Sequence, residues 1–146
     1  MGNINGMGQE AVNIPANNNR NIVSKAFDAW ASGTGSFFDL LSEDVQWTIT
    51  GSTRFSKTYY GKKQFMDEVI EPLNRRLSKK IVPAVQAIYA EDDMVIALWN
   101  GTAEARGGKP YNMSYAWFLQ MKNGKIVSVV AFLDGIKFND IMTKAF

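Results

Sequence analysis

The sequence contains no cysteine and no histidine. Without cysteine there is no disulfide, no thiolate nucleophile and no thiolate metal ligand; without histidine the commonest general base and the commonest transition-metal ligand are gone. Ser-His-Asp and Cys-His catalysis are excluded by composition. Proton chemistry falls to carboxylates, tyrosine, lysine or hydroxyl groups. Charge of one sign is also scarce. Sixteen Lys and Arg against fourteen Asp and Glu leave a net +2, too little to imply a nucleic-acid or anionic-membrane partner. The basic cluster Arg75, Arg76, Lys79 and Lys80 has no interleaved aromatic residues and reads as solvated surface. No uninterrupted apolar run approaches the roughly 18 residues of a membrane helix, and the N-terminus lacks the order of a signal peptide. The chain reads as soluble, cytoplasmic as written, and periplasmic or secreted if an export signal has been removed from its N-terminus. No phosphate-cradling glycine loop and no carboxylate cluster at metal-ligand spacing is found, so neither cofactor nor metal is expected.

What is present is a core. At 146 residues, 46% hydrophobic and 12% aromatic, the chain can bury one sizeable interior. Residues 1–19, rich in Gly and Asn, read as a flexible polar tail, and residues 20–146 as a single domain. Ile22, Ala26 and Trp30 recur at helical spacing until Gly33 and Gly35 end the pattern. Ser36 can cap a short helix carrying Phe37 to Leu41, and Val45, Trp47 and Ile49 alternate with polar residues as a strand. Phe65, Val69, Leu73 and Leu77 predict a further helix that Pro72 should kink or split. Four segments, 79–90, 94–105, 111–122 and 125–134, then predict an antiparallel meander. Turn signals at Glu91-Asp92-Asp93, Gly107-Gly108 and Asn123-Gly124 divide it. Ile136–Phe146 supplies a closing helix.

Helices before a long, bent sheet predict an α+β cone with a pocket at one end. Residues 127–133 are apolar on both faces, which predicts a homodimer through the outer sheet face. Facing such a pocket, Asp134 would have its pKa raised by desolvation and could serve as acid or base; alternatively it caps the last helix through the amides near Ile136 and Lys137. Trp47 and Ile49 share the inward face of their strand. Tyr60, beside Gly61, could reach the mouth as a hydrogen-bond donor. On the 111–122 strand, one face carries Asn112, Ser114, Ala116 and Phe118 and the other Tyr111, Met113, Tyr115 and Trp117, and either set can face the pocket.

The order of elements, with Phe38-Asp39-Leu40-Leu41, Val45-Gln46-Trp47, Tyr60-Gly61, Gly108-Lys109-Pro110-Tyr111-Asn112 and Gly124-Lys125-Ile126-Val127 ending in Phe132-Leu133-Asp134, resembles the SnoaL-like group. That group belongs to the superfamily of nuclear transport factor 2 and ketosteroid isomerase. The resemblance covers about residues 20–140. It implies a cone-shaped, strongly curved sheet wrapped around helices, and a small-molecule pocket serving either an enzyme of the cyclase, isomerase or dehydratase type or a non-catalytic binder. It directs Asn112, Ser114 and Phe118 inward as ligand contacts with Trp47, Ile49 and Tyr60, sends Tyr115 and Trp117 to the dimer face, and leaves Asp134 as the catalytic candidate. The isomerase base and oxyanion donors correspond to Ile49, Ala26 and Ala116, so that machinery is missing. Limonene-epoxide-hydrolase-like members need two aspartates, a bridging arginine and a Tyr–Asn pair. The corresponding residues are Asp134, Ala103, Gly101, Trp47 and Ile49, and only Asp134 remains. The implied ligand is a small apolar cyclic or carbonyl-bearing molecule.

Overall fold

The computed structural model describes residues 15–144. Pro15, with φ −54°, precedes α1 (Ala16–Ser32), its ring holding the backbone ready for a helix. Its carbonyl accepts from Asn18 N and Asn19 N. Helix therefore begins inside the stretch read as tail, and Asn19 is buried; residues 1–14 of that stretch lie outside the described residues. Gly33, at φ 75°, takes the left-handed conformation that lets its amide return to Trp30 O and closes α1. Ser36 accepts from Phe38 N and caps a short 3-10 turn, Phe37–Leu40.

Strands β1 (Leu41–Ile49) and β2 (Thr58–Tyr60) form a hairpin. Next, α2 (Lys62–Phe65), a π-turn (Met66–Ile70) and α3 (Glu71–Arg75) run on with helical backbone at both junctions. The π-turn is the local answer to Pro72. Proline has no N–H to offer the carbonyl four residues back and its ring crowds that carbonyl, so a wider turn relieves both. Glu71 N accordingly donates to Met66 O, five residues back. The expected split is thus a local widening, and Leu77, expected in this helix, instead opens β3.

The meander follows as β3 (Leu77–Glu91), β4 (Met94–Ala105), β5 (Met113–Lys122) and β6 (Lys125–Phe132), and α4 (Gly135–Met142) comes last. Asp92 (φ 52°) and the Asn123-Gly124 pair (φ 52° and 78°) give hairpin turns whose twist suits the strands they join. Strand order is β2-β1-β6-β5-β4-β3, with every neighbour antiparallel except β1 against β6. Register shifts interrupt β3 at three places; each bulge adds a bend and twist. Pro83 is accommodated because β3 is an edge strand. The result is a mixed α+β fold, a curved, open six-stranded sheet with helices, as the sequence predicts.

The core fills the concave side. Val23 and Phe27 of α1, Phe65, Val69 and Leu73 of the helical run, and Val95, Leu119 and Val129 of the sheet are all buried there. The convex side carries apolar residues too. One row crosses four strands as Tyr89, Ile96, Phe118 and Val130, and the next as Ala87, Leu98, Ala116 and Phe132.

Candidate functional site

Along β5, Met113, Trp117, Leu119 and Met121 are buried while Ser114 and Lys122 are exposed. This fixes the face of every residue on the strand. Tyr115 and Trp117 line the cavity and Ala116 and Phe118 lie on the convex side, a correction to the face that the resemblance assigned. The physical reason is already visible in the alternation: Asn112, Ser114 and Phe118 share their parity with Gln120 and Lys122, whereas the opposite set offers Trp, Leu and Met for burial. The place matched to Ala116 is therefore not a cavity position.

Between the concave sheet face and the helices lies a cavity of about 830 Å³, within the range that holds a small organic ligand. Its walls are chiefly aromatic. Trp99 stacks on Tyr115 at 4.0 Å between centroids and meets Trp117 edge-on at 4.7 Å; Trp47 stacks on Phe65 at 4.1 Å and meets Trp117 edge-on at 5.0 Å. Trp30 of α1 closes the set, edge-on to Trp99 at 5.2 Å. Such edge and stacked contacts hold the rings in place. Ile49, Ala131, Leu133 and Phe138 add aliphatic and aromatic surface, and Met66, Val69 and Ile70 of the π-turn form the helical wall.

The polar groups are few. Trp99 and Tyr111 are among the lining residues, with Trp99 Nε1 and Tyr111 Oη themselves sealed inside the packing behind the cavity surface. The Tyr115 phenol is the neighbour of the Tyr111 phenol and interacts with it. Burial pushes both phenols well above the ordinary tyrosine value, and for Tyr111 the adjacent Tyr115 and then the Asp134 charge add to it. Both rings therefore remain neutral hydroxyl groups at any ordinary pH. At the rim are Ser32 to Ser36, Asn74, Val82 and Lys80. Lys80 sits where β3 shifts register between Lys79 and Val82, and its ammonium donates to Asn74 O at 2.7 Å.

Trp47 and Ile49 line the cavity. Asp134 does not. It is exposed, its Oδ1 accepting from Ile136 N at 3.0 Å and Lys137 N at 3.1 Å, so it caps α4. With Asn112 and Ser114 it borders a shallow polar depression outside the cone. There Ser114 Oγ donates to Asn100 Oδ1, Asn112 Oδ1 accepts from Ala103 N, and Lys137 Nζ donates to Asn112 O. Phe118 faces outward and packs on Phe132 at 5.8 Å. Tyr60 is 65% exposed; it pairs with Gln46 on the outer parity of β1, and the neighbouring Tyr59 is buried instead, donating to Phe55 O. The structure thus brings Trp47 and Ile49 together with Trp30, Trp99, Tyr111, Tyr115 and Trp117, and leaves Asn112, Ser114, Phe118, Tyr60 and Asp134 outside. The missed residue Lys80 stood in the basic cluster read as surface, and Trp99 carried no signal beyond its parity with Ala97 and Val95.

A cone of this kind, with an aromatic cavity between one curved sheet and its helices, defines the nuclear transport factor 2-like class of fold. Residues 23–129 match the sequence family described as the SnoaL-like domain, and the chain belongs to that family. Among solved structures it is similar to a nuclear transport factor 2-like protein from Burkholderia thailandensis, with 19% identity over 86% of this chain and 98% of the other and a TM-score of 0.69. It is also similar to a Bacillus subtilis protein provisionally named an isomerase, with 17% identity over 91% and 99% and a TM-score of 0.71. A third is the protein TerC, co-crystallised with polyporic acid, with 14% identity over 86% and 98% and a TM-score of 0.68. No curated protein matches the chain. At these identities the structural likeness concerns the fold.

Proposed function

We propose that this protein binds a flat, largely apolar small molecule in the cone. The observation that carries the reading is the aromatic lining: Trp30, Trp47, Trp99, Tyr115 and Trp117 are among the residues around a cavity of about 830 Å³, the size and apolar character of a small-molecule site. TerC, a neighbour in fold, was crystallised with polyporic acid, and a ring-bearing ligand of that general kind suits these walls. The test is titration with a fluorescent naphthalene dye. Binding at about micromolar affinity is expected, reduced by tenfold or more in Trp117→Ala, since removing one aromatic wall of a desolvated site commonly costs 2 kcal/mol or more. A protein that takes up no dye while remaining folded would refute the reading.

An isomerase-type activity, suggested by the name of the Bacillus subtilis neighbour, forms a second reading. Its support in this chain is the Tyr115 phenol, a neutral hydroxyl group on a lining residue, of the kind suited to hold a developing oxyanion. It also needs a base, and among the described residues the cavity wall holds no carboxylate. Binding is therefore placed first. The role expected for Asp134 as that base stays a proposal: Asp134→Asn abolishing turnover of a substrate would support it.

The same reading includes a two-fold homodimer through the convex sheet face. Its support is the pair of apolar rows across β3 to β6, in which Phe132 is 48% and Val130 37% exposed. Two such flat rows are self-complementary about a two-fold axis.

A further inference from the structure

We propose that the open end of the cone docks on an anionic phospholipid surface, its apolar rim seated in the interface and the basic corner of α3, β3 and β4 resting on the phosphates. The inference goes beyond the reading of the cone as a ligand site and names the surface from which an apolar ligand enters it. Among the described residues no helix is long and apolar enough to cross a bilayer, and the contact proposed is interfacial.

Lining residues that are themselves exposed mark the mouth. Trp47, Phe65, Trp99, Trp117 and Phe138 are buried, which closes the cavity on their side. Val82, by contrast, is 51% exposed, and Trp30, Phe38, Met66, Ile70 and Ile81 are half-buried, although all of them line the same cavity. In β3 the register shift between Lys79 and Val82 brings three successive residues, Lys80, Ile81 and Val82, to that rim. Regular alternation would send neighbours to opposite faces. A ring of apolar side chains left open to water around a cavity marks a contact surface.

The cluster that the sequence presents as solvated surface gathers beside this rim. Lys80 Nζ donates to Asn74 O, and Arg106 Nε donates to Arg75 O at 2.6 Å, so both cations are drawn to the last turn of α3, with Arg75 on it and Lys79 next in the chain. These contacts satisfy carbonyls at a helix end and leave the charges uncompensated. Arg75, Lys79, Lys80 and Arg106 are exposed, and none forms a salt bridge among the described residues. The acidic neighbours in this corner are Glu71, one turn before Arg75, and Glu104, which lies opposite Lys79 and accepts from Ser78 Oγ. No carboxylate lines the cavity among the described residues, and the facing rim, Ala31 to Ser36, is uncharged. An acidic protein would answer the charge alone. The apolar ring beside it calls for a partner that is anionic at its surface and apolar just beneath, as a phospholipid layer is. An indole and a lysine at the rim suit that boundary, each with an apolar body and a polar tip.

The test is flotation of the full chain with vesicles of phosphatidylcholine and phosphatidylglycerol in a two-to-one mixture, compared with vesicles of phosphatidylcholine alone. Flotation with the anionic vesicles is expected, falling steeply at high salt. Arg75→Gln combined with Lys79→Gln, neither of which lines the cavity, should lower the partition coefficient about twentyfold, the scale of two cations near an anionic surface. Dye affinity should be unchanged in that variant. Lys122→Gln combined with Lys125→Gln removes the same charge at the β5–β6 turn, which lies at the opposite end of the sheet from the Leu77–Ala105 pair, and should lower partition by less than about threefold. Val82→Ser should weaken flotation severalfold by removing apolar rim surface. Vesicles with brominated acyl chains should quench tryptophan emission through Trp30, since Trp47, Trp99 and Trp117 are buried, and the quenching should disappear in Trp30→Phe. Circular dichroism confirms folding of each variant; if Val82→Ser fails to fold, the charge pairs and the quenching still decide the matter. Absence of flotation, equal losses in the two charge pairs, or flotation without quenching would overturn the inference. Capture by polyglutamate without flotation would assign the corner to an acidic protein and overturn it as well. A protein that floats but excludes the naphthalene dye would refute the ligand reading and leave the docking surface standing.

Discussion

The carboxylate that the sequence singled out lies outside the cavity and serves a helix end. Asp134 satisfies two amides at the start of α4, so Asp134→Ala should lower stability by about 1 kcal/mol, as the loss of a helix cap does. Thermal denaturation should show that loss, with Asp134→Asn close to wild type and dye affinity unchanged in both. The buried phenols give a pH signature of opposite kind. Their values in the folded chain stand above the ordinary 10.0, so their contribution is intact below pH 10 and is lost as pH rises beyond it, because the unfolded chain ionises where the folded one does not. The urea midpoint should be flat to about pH 9.5 on this linkage and fall above it. In the Tyr111→Phe, Tyr115→Phe double variant the fall should be shallower.

At the scale of elements, the aromatic wall depends on a missing side chain. A Cβ at Gly101 would lie 3.0 Å from Tyr115 Cε1 and 3.1 Å from both Ile81 Cγ2 and Trp99 Cζ3, tighter than ordinary packing allows. Glycine on β4 therefore lets Trp99 and Tyr115 stack at 4.0 Å. Gly101→Ala should destabilise the protein by about 1–3 kcal/mol, the scale of core overpacking, and alter the near-ultraviolet signal of the stacked pair. Sequence reading missed this role. Strand pattern marks Gly101 only as a weak point in β4, since the side chains that crowd it come from positions 81 and 115 on other strands. Turns were more legible: Asn123-Gly124 has the backbone freedom its hairpin needs, and that requirement is local.

For the whole molecule, the convex rows give a direct expectation. Phe132→Glu should convert a dimer to a monomer with little loss of thermal stability, as measured by light scattering after size-exclusion chromatography, because the side chain is half exposed in the single chain and a buried charge at a two-fold axis meets its own copy. An unchanged mass would remove the convex face as the contact. The cavity on the opposite side should keep its dye affinity in this variant, which separates assembly from binding.

The sequence alone determined the elements and their class. Helical spacing from Ile22 to Trp30, alternation through Trp47, and the turn residues between strands all depend on neighbours a few positions apart, and those interactions act before the chain is folded. Only the tertiary structure decided which side of β5 faces the cone, that Asp134 serves a helix end, and that Trp99, Tyr111 and Lys80 meet one hollow. These outcomes depend on pairing and bulges among strands distant in the chain, where a shift of one residue exchanges the inner face for the outer.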